Sequence, residues 1–334
     1  MTKLAVCSDS TGKDSGITIE LAIEAHGREN VRIAFADTGN EHDLVYEHLE
    51  YQRSRYGEIV TLRADFSQRI ANKRLYVEAQ WPAKGVPPEI VKRALSVLHP
   101  TGVAFLDLCL WKGRFPTRKA QFCTQELKRY PLDNYMLELM AQGFELESWR
   151  GIRRDESDNR RNAKEREIAA EGWEVVHPIV GWTAEQVIAE HARRGLKLNP
   201  LYRLGMGRVG CMLCINANKN EINVSSKRFP EHIDKIREWE RLVGLAAKRG
   251  WTTFFTDAAL VSDVAIPGWR EDSLTDEKTG VTRRVWIEPD PDIYERLRID
   301  KRVEWSQTQH GGRKQDWIRQ APVEPCTSVY GLCE

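Results

Sequence analysis

A chain of 334 residues with 50 basic and 49 acidic side chains has a net charge of +1, which excludes an overall field for drawing in nucleic acid. No run reaches the ~18 apolar residues that span a bilayer, and the first residues read as a strand, not a charged leader before an apolar stretch, so we expect a soluble, cytoplasmic protein with no membrane partner. Seven cysteines are too few, and odd in number, for a disulfide scaffold in a chain long enough for one large core or two modest ones.

Along the first two-thirds of the chain, apolar runs of strand length alternate with helix-period segments. Strands are predicted over residues 4–7, 31–35, 59–62, 144–148 and 175–179, and helices over 15–26, 43–56, 118–127 and 183–194. This alternation predicts an α/β fold with a doubly wound, mostly parallel sheet and helices on both faces. Pro82, Pro87 and Pro88 mark an excursion before a helix beginning near Glu89. Beyond Asn220 the pattern changes: residues 228–249 read as one charged helix, and the chain from Trp251 onward is rich in Trp, Pro and charge. The expected organisation is a nucleotide-binding core over 1–220 and a charged, Trp-rich C-terminal extension over 221–334.

The first predicted strand runs into Ser8-Asp9-Ser10-Thr11-Gly12-Lys13-Asp14-Ser15, and a helix follows. A strand, a small-residue loop and a helix N-terminus together build an anion site, because the free N–H groups of the first turn and the helix dipole both favour negative charge. Gly12 permits close approach, the serines offer hydroxyls and Lys13 adds a charge. The plainer reading is a capped helix after a turn. A Walker A loop is excluded, since Gly12-Lys13 is followed by Asp14 and no glycine stands five positions before Gly12.

The loop resembles the S-G-G-x-D-S pyrophosphate loop of the ATP pyrophosphatase superfamily, with Thr11 in place of the first glycine. Four further segments extend the resemblance to phosphoadenosine phosphosulfate (PAPS) reductases. In chain order they are Asp37-Thr38-Gly39, Gly151-Ile152-Arg153-Arg154-Asp155-Glu156-Ser157 with Arg160, the pair of segments His177-Pro178-Ile179 and Asn199-Pro200-Leu201-Tyr202, and Gly210-Cys211-Met212-Leu213-Cys214. The resemblance implies an adenine nucleotide, ATP or PAPS, with its phosphates on Ser8, Ser10, Thr11, Gly12, Lys13, Asp14 and Ser15 and with Mg2+ beside them. It implies that Asp37 and Thr38 frame the adenosine or a metal, and that Arg153, Arg154 and Arg160 hold phosphate or sulfate oxygens. Asn199-Pro200-Leu201-Tyr202 reads as a rigid turn supporting the cysteine loop.

Cys211 and Cys214 form a C-x-x-C, and Cys123 stands where related cluster-bearing reductases carry a cysteine. With Cys109 as the nearest fourth ligand, or Cys326 or Cys333 in its place if the tail returns to the core, these imply a [4Fe–4S] cluster; spacing alone also allows zinc or a pair of unligated thiols. Cys326 and Cys333 near the end are the other thiols available for catalysis, although neither reproduces the family's E-C-G-x-H segment. Three readings follow. One is an ATP pyrophosphatase that activates an acceptor, which includes nucleic acid, for sulfur transfer from a donor protein. Another is a sulfonucleotide reductase with Cys326 or Cys333 as nucleophile and a thiol reductant. The third is a non-catalytic nucleotide- or cluster-binding component. Trp251, Trp269, Trp286, Trp305 and Trp317 are read either as base-stacking residues or as packing for the appendage.

Overall fold

A computed structural model describes residues 3–255, 270–275, 282–287 and 298–309. Six strands form one sheet in the order β3-β2-β1-β4-β6-β5. They are β1 (Lys3–Asp9), β2 (Val31–Asp37), β3 (Val60–Arg63), β4 (Glu145–Trp149), β5 (Arg166–Ile168) and β6 (Glu174–Val176). All pairs are parallel except β5 with β6. The strand order reverses at β1, which has β2 on one side and β4 on the other. In a sheet of this kind the crevice beyond the carboxyl ends of those two strands is the ligand site.

Both faces of the sheet are covered. Leu4, Val6, Leu146 and Val175 pack with Met136 and Leu139 of the helix Tyr130–Ala141. On the opposite face lies α1 (Lys13–His26), whose His26 Nε2 is 2.9 Å from a Glu147 carboxylate oxygen and whose ring meets Trp149 edge-on. Ile17 of α1 also packs on Ile179 and on Val187 of the helix Ala184–Arg193.

The described chain divides into two compact units, one of residues 3–64 and 124–212, the other of 65–123 and the described residues from 213 onward. The helices Pro88–Val97 and Ala104–Lys112 are packed with Pro230–Ala246, and Phe105 stacks on Trp239 with ring centres 5.5 Å apart. Glu240 is fully buried in this second unit and accepts the backbone N–H groups of Phe254 and Ile299 at 2.8 and 3.1 Å. A hairpin, β7 (Arg270–Thr275) with β8 (Thr282–Ile287), belongs to the later chain.

Three elements differ from their predicted form. The helix expected over 118–127 is one short turn, Phe122–Thr124, continued by a π-helical turn over Gln125–Arg129 and then by Tyr130–Ala141. The one charged helix expected over 228–249 is Pro230–Ala246, and a separate helix, Lys219–Arg228, precedes it; the break at Phe229 arises because proline disfavours helical backbone in the residue before it and is suited to a first turn. Pro82 is not a loop residue but lies in the last turn of Ser67–Ala83. None of the described helices is long and apolar enough to cross a membrane.

Candidate functional site

The loop after β1 is organised by its own side chains. Asp9, at the end of β1, is 5% exposed, and its Oδ1 accepts the Thr11 N–H and the Ser15 hydroxyl, each at 2.8 Å. Burial pushes the Asp9 carboxyl up from its ordinary range, and the donors from Thr11, Ser15 and Gln52 only partly offset this. Gly12 precedes α1 without a side-chain cap. The Lys13 N–H instead donates to the Tyr202 phenol oxygen at 3.1 Å. Ser10 Oγ lies 3.4 Å from Ser15 Oγ, whereas Ser8 stays within β1 opposite Ala34.

The chain after β4 comes directly onto this helix start. A Cβ built on Gly151 would lie 2.8 Å from the Asp14 carbonyl carbon, so only glycine allows the approach seen here. Two residues on, Arg153 is 3% exposed and its Nε donates to Asp14 Oδ1 at 2.6 Å; a second nitrogen pairs with Asp155. Lys13, 4% exposed, holds the other Asp14 oxygen at 2.7 Å. Two buried cations thus flank one carboxylate at a helix N-terminus, an arrangement suited to phosphate oxygens. Burial works against the Arg153 charge, yet Asp14 and Asp155 outweigh it and raise the pKa.

Two further residues support the loop from behind. Asn199 Nδ2 donates to Thr11 Oγ1 at 3.2 Å, so the Asn199-Pro200-Leu201-Tyr202 turn reaches the loop through both its first and last residues. His191 Nε2 donates to the Lys13 carbonyl at 2.7 Å, and burial lowers its pKa. His48, in α2 (Asp43–Tyr56), lines a small recess behind the loop with Gln52 and His191. Burial, together with repulsion from His191 and Lys197, lowers the His48 pKa to about 4, so it is neutral near pH 7.

The turn after β2 is built around two carboxylates. Asp37 Oδ1 accepts the Gly39 N–H and the Tyr46 hydroxyl, both at 2.9 Å, while Oδ2 takes two donors from Arg63 at 2.6 and 3.0 Å. Glu41 accepts from the Thr38 hydroxyl at 2.7 Å and from the Thr38 and Asn40 N–H groups at 3.2 and 3.1 Å. Cys211 is brought to this turn by a bridge to Glu41, and its Sγ lies 3.3 Å from Thr38 Oγ1 and 3.6 Å from Glu41 Oε1. Asp37 and Thr38 therefore spend their polar atoms on the turn and on bringing a thiol to it. Arg154 is exposed with Nε on the Ala163 carbonyl at 2.9 Å, and Arg160 pairs with Glu156.

Residues 109–217 match the family model for the phosphoadenosine phosphosulfate reductase domain. This chain belongs to the PAPS reductase family. An uncharacterized 37.8 kDa protein of Escherichia phage 186 is 37% identical over 344 aligned positions, which cover 98% of this chain and 96% of the phage protein. An uncharacterized protein of Methanocaldococcus jannaschii is 26% identical over 249 positions, covering 72% of this chain and 43% of the archaeal protein. Among solved structures, PAPS reductase from Candida auris in its phosphate complex overlaps 63% of this chain and 82% of its own, with 16% identity and a TM-score of 0.40.

The match to the PAPS reductase domain includes Gly151, Arg153, Tyr202 and all four cysteines expected as cluster ligands, while the loop at 8–15 lies outside it. Cys109 is fully buried in Ala104–Lys112; burial, then the nearby Cys123, pushes its thiol well up. Cys214 Sγ accepts the Asn216 N–H at 3.4 Å. Among the described residues, no three of the expected thiol ligands lie within 4.8 Å of one another, the closeness that one tetrahedral zinc, with thiolates about 3.8 Å apart, requires. The chemistry below is derived without a cluster. Cys326 and Cys333 lie outside the described residues.

Several residues that complete the site carry little local signal. Gln52, Arg63 and His191 belong to no recognisable motif, and Asp9 stood within the loop sequence without an assigned role. Of the tryptophans, Trp251 is 5% exposed with Arg249 over its ring at 4.8 Å, and Trp305 carries Arg302 at 4.9 Å; both are packed against cations. Trp269 and Trp317 lie outside the described residues.

Proposed function

We propose that this chain is an enzyme of nucleotide-dependent sulfur chemistry that binds ATP with its phosphates on the loop at 10–15 and cleaves it between the α- and β-phosphates. The observation that carries this reading is the meeting of Arg153 and Gly151, after β4, with Asp14 at the start of α1, at the point where the sheet reverses direction. There the helix N–H groups, Lys13 and Arg153 can stabilise charge that builds on the leaving pyrophosphate. Mg2+ arriving with ATP is part of the substrate and neutralises the same group. The Cys211 thiol beside Thr38 and Glu41 supports a sulfur step on the activated acceptor. Sulfur donor and acceptor, nucleic acid included, are partners of this reading.

The reductase alternative, in which PAPS is the nucleotide and Cys326 or Cys333 attacks it with a thiol reductant, predicts a different product. Parallel assays separate the two: pyrophosphate from ATP supports the first, and sulfite from PAPS supports the second. Asp14→Ala is expected to abolish turnover in either case, because it removes the group that pairs Lys13 with Arg153; an unchanged rate would take the loop out of the active site. Anaerobic purification with iron and sulfide analysis, repeated on Cys211→Ser, tests for a cluster independently of turnover.

A further inference from the structure

Thr11 is the only described non-glycine residue with positive φ, at +56°. For a β-branched side chain this left-handed backbone is strained, a strain that glycine would not carry. Two contacts hold Thr11 there: Asp9 Oδ1 accepts its N–H at 2.8 Å, and Asn199 Nδ2 donates to its hydroxyl at 3.2 Å. The same Asp9 oxygen receives the Ser15 hydroxyl at 2.8 Å and Gln52 Nε2 at 3.4 Å, and so ties the start of the loop to the first turn of α1. Asp9 Oδ2 is buried with no hydrogen-bond partner among the described residues. A carboxyl ending a buried strand is expensive, and the phosphate site does not by itself explain it.

We propose that Asp9 is a positioning residue of the loop, holding Thr11 in the left-handed turn that aims the loop's backbone N–H groups at the bound phosphates. The inference rests on the loop being the phosphate site. Without the Asp9 acceptor, Thr11 relaxes toward negative φ, which rotates the peptide leading to Gly12 and turns its N–H away. A glycine at position 11 takes the same turn unaided, so the requirement for Asp9 is created by Thr11.

The test is a double-mutant cycle of Asp9→Ala and Thr11→Gly, read by calorimetric titration with inorganic pyrophosphate and by NMR backbone shifts and couplings of residue 11 without ligand. Asp9→Ala is expected to weaken pyrophosphate binding about tenfold in the Thr11 background and to move residue 11 out of its left-handed conformation. In the Thr11→Gly background the same change should cost less than about threefold. Asp9→Asn, which keeps the accepting oxygen, should restore binding. If Asp9→Ala does not fold, Asp9→Leu replaces it, being apolar and unable to accept. Equal losses on both backgrounds, or residue 11 still left-handed in Asp9→Ala, would overturn the proposal. If the wild-type protein binds no pyrophosphate, the phosphate reading fails, while the ligand-free conformation of residue 11 still decides the role of Asp9.

Discussion

Replacing Gly151 by alanine places one methyl group against the backbone of the loop. The added Cβ would lie 2.8 Å from the Asp14 carbonyl carbon, 2.9 Å from its oxygen and 3.1 Å from the Ser15 nitrogen. Carbon atoms in comfortable contact are ~3.5–4.0 Å apart, so the two segments must separate by about 0.7 Å or more. No flexible side chain can absorb this, because all three atoms belong to the first turn of α1. Overpacking of this kind costs ~1–3 kcal/mol, and here it also displaces the N–H groups that would meet phosphate. We expect Gly151→Ala to lower the denaturant-derived unfolding free energy by about that amount and to weaken binding of a non-hydrolysable ATP analogue about tenfold or more. Gly181→Ala is the control: nothing lies within 4 Å of its added Cβ, so stability should stay within about 0.5 kcal/mol of wild type. Wild-type analogue affinity in Gly151→Ala, measured by calorimetry, would refute the close approach as the basis of the site.

Arg153→Lys keeps the charge but loses the fork that joins Asp14 to Asp155, and nucleotide turnover should fall about tenfold or more, with the larger change in kcat. Glu240 offers a test in the second unit. Burial raises its pKa to about 7 from an ordinary 4.5, so the folded chain keeps a proton that the unfolded chain releases. Its contribution to stability is full below about pH 4.5 and is lost as pH rises through about 7, a change of roughly 3 kcal/mol. In Glu240→Gln that part of the decline should vanish when urea unfolding is compared at pH 5 and pH 8; an unchanged pH dependence would show that another group is responsible.

The strands β1, β2 and β4 were legible because buried parallel strands read as apolar runs. β5 was not, since Arg166–Ile168 is exposed throughout and becomes a strand only by pairing antiparallel with β6. The helix 118–127 was misdrawn, and the start of the helix in 228–249 set two residues early, for a related reason: periodicity measures an apolar stripe, whereas the π-helical turn at Gln125–Arg129 and Pro230 act on the backbone itself. Asn199-Pro200-Leu201-Tyr202 was read as a turn beneath the cysteine loop, but its Tyr202 caps the first turn of α1 from 189 residues away.

The sequence by itself determined the strand, loop and helix of residues 3–26, because a helix start is local and needs only Gly12 and the residues beside it. It also carried the Gly151–Arg160 segment and the family to which the chain belongs. Only the tertiary structure decided how that loop is held. Asp9 with Gln52, Arg153 with Asp14, and Cys211 with Glu41 are pairs separated by 43, 139 and 170 residues. Each of these contacts depends on where the sheet order brings two strand ends together, and hydrophobic periodicity carries no record of that.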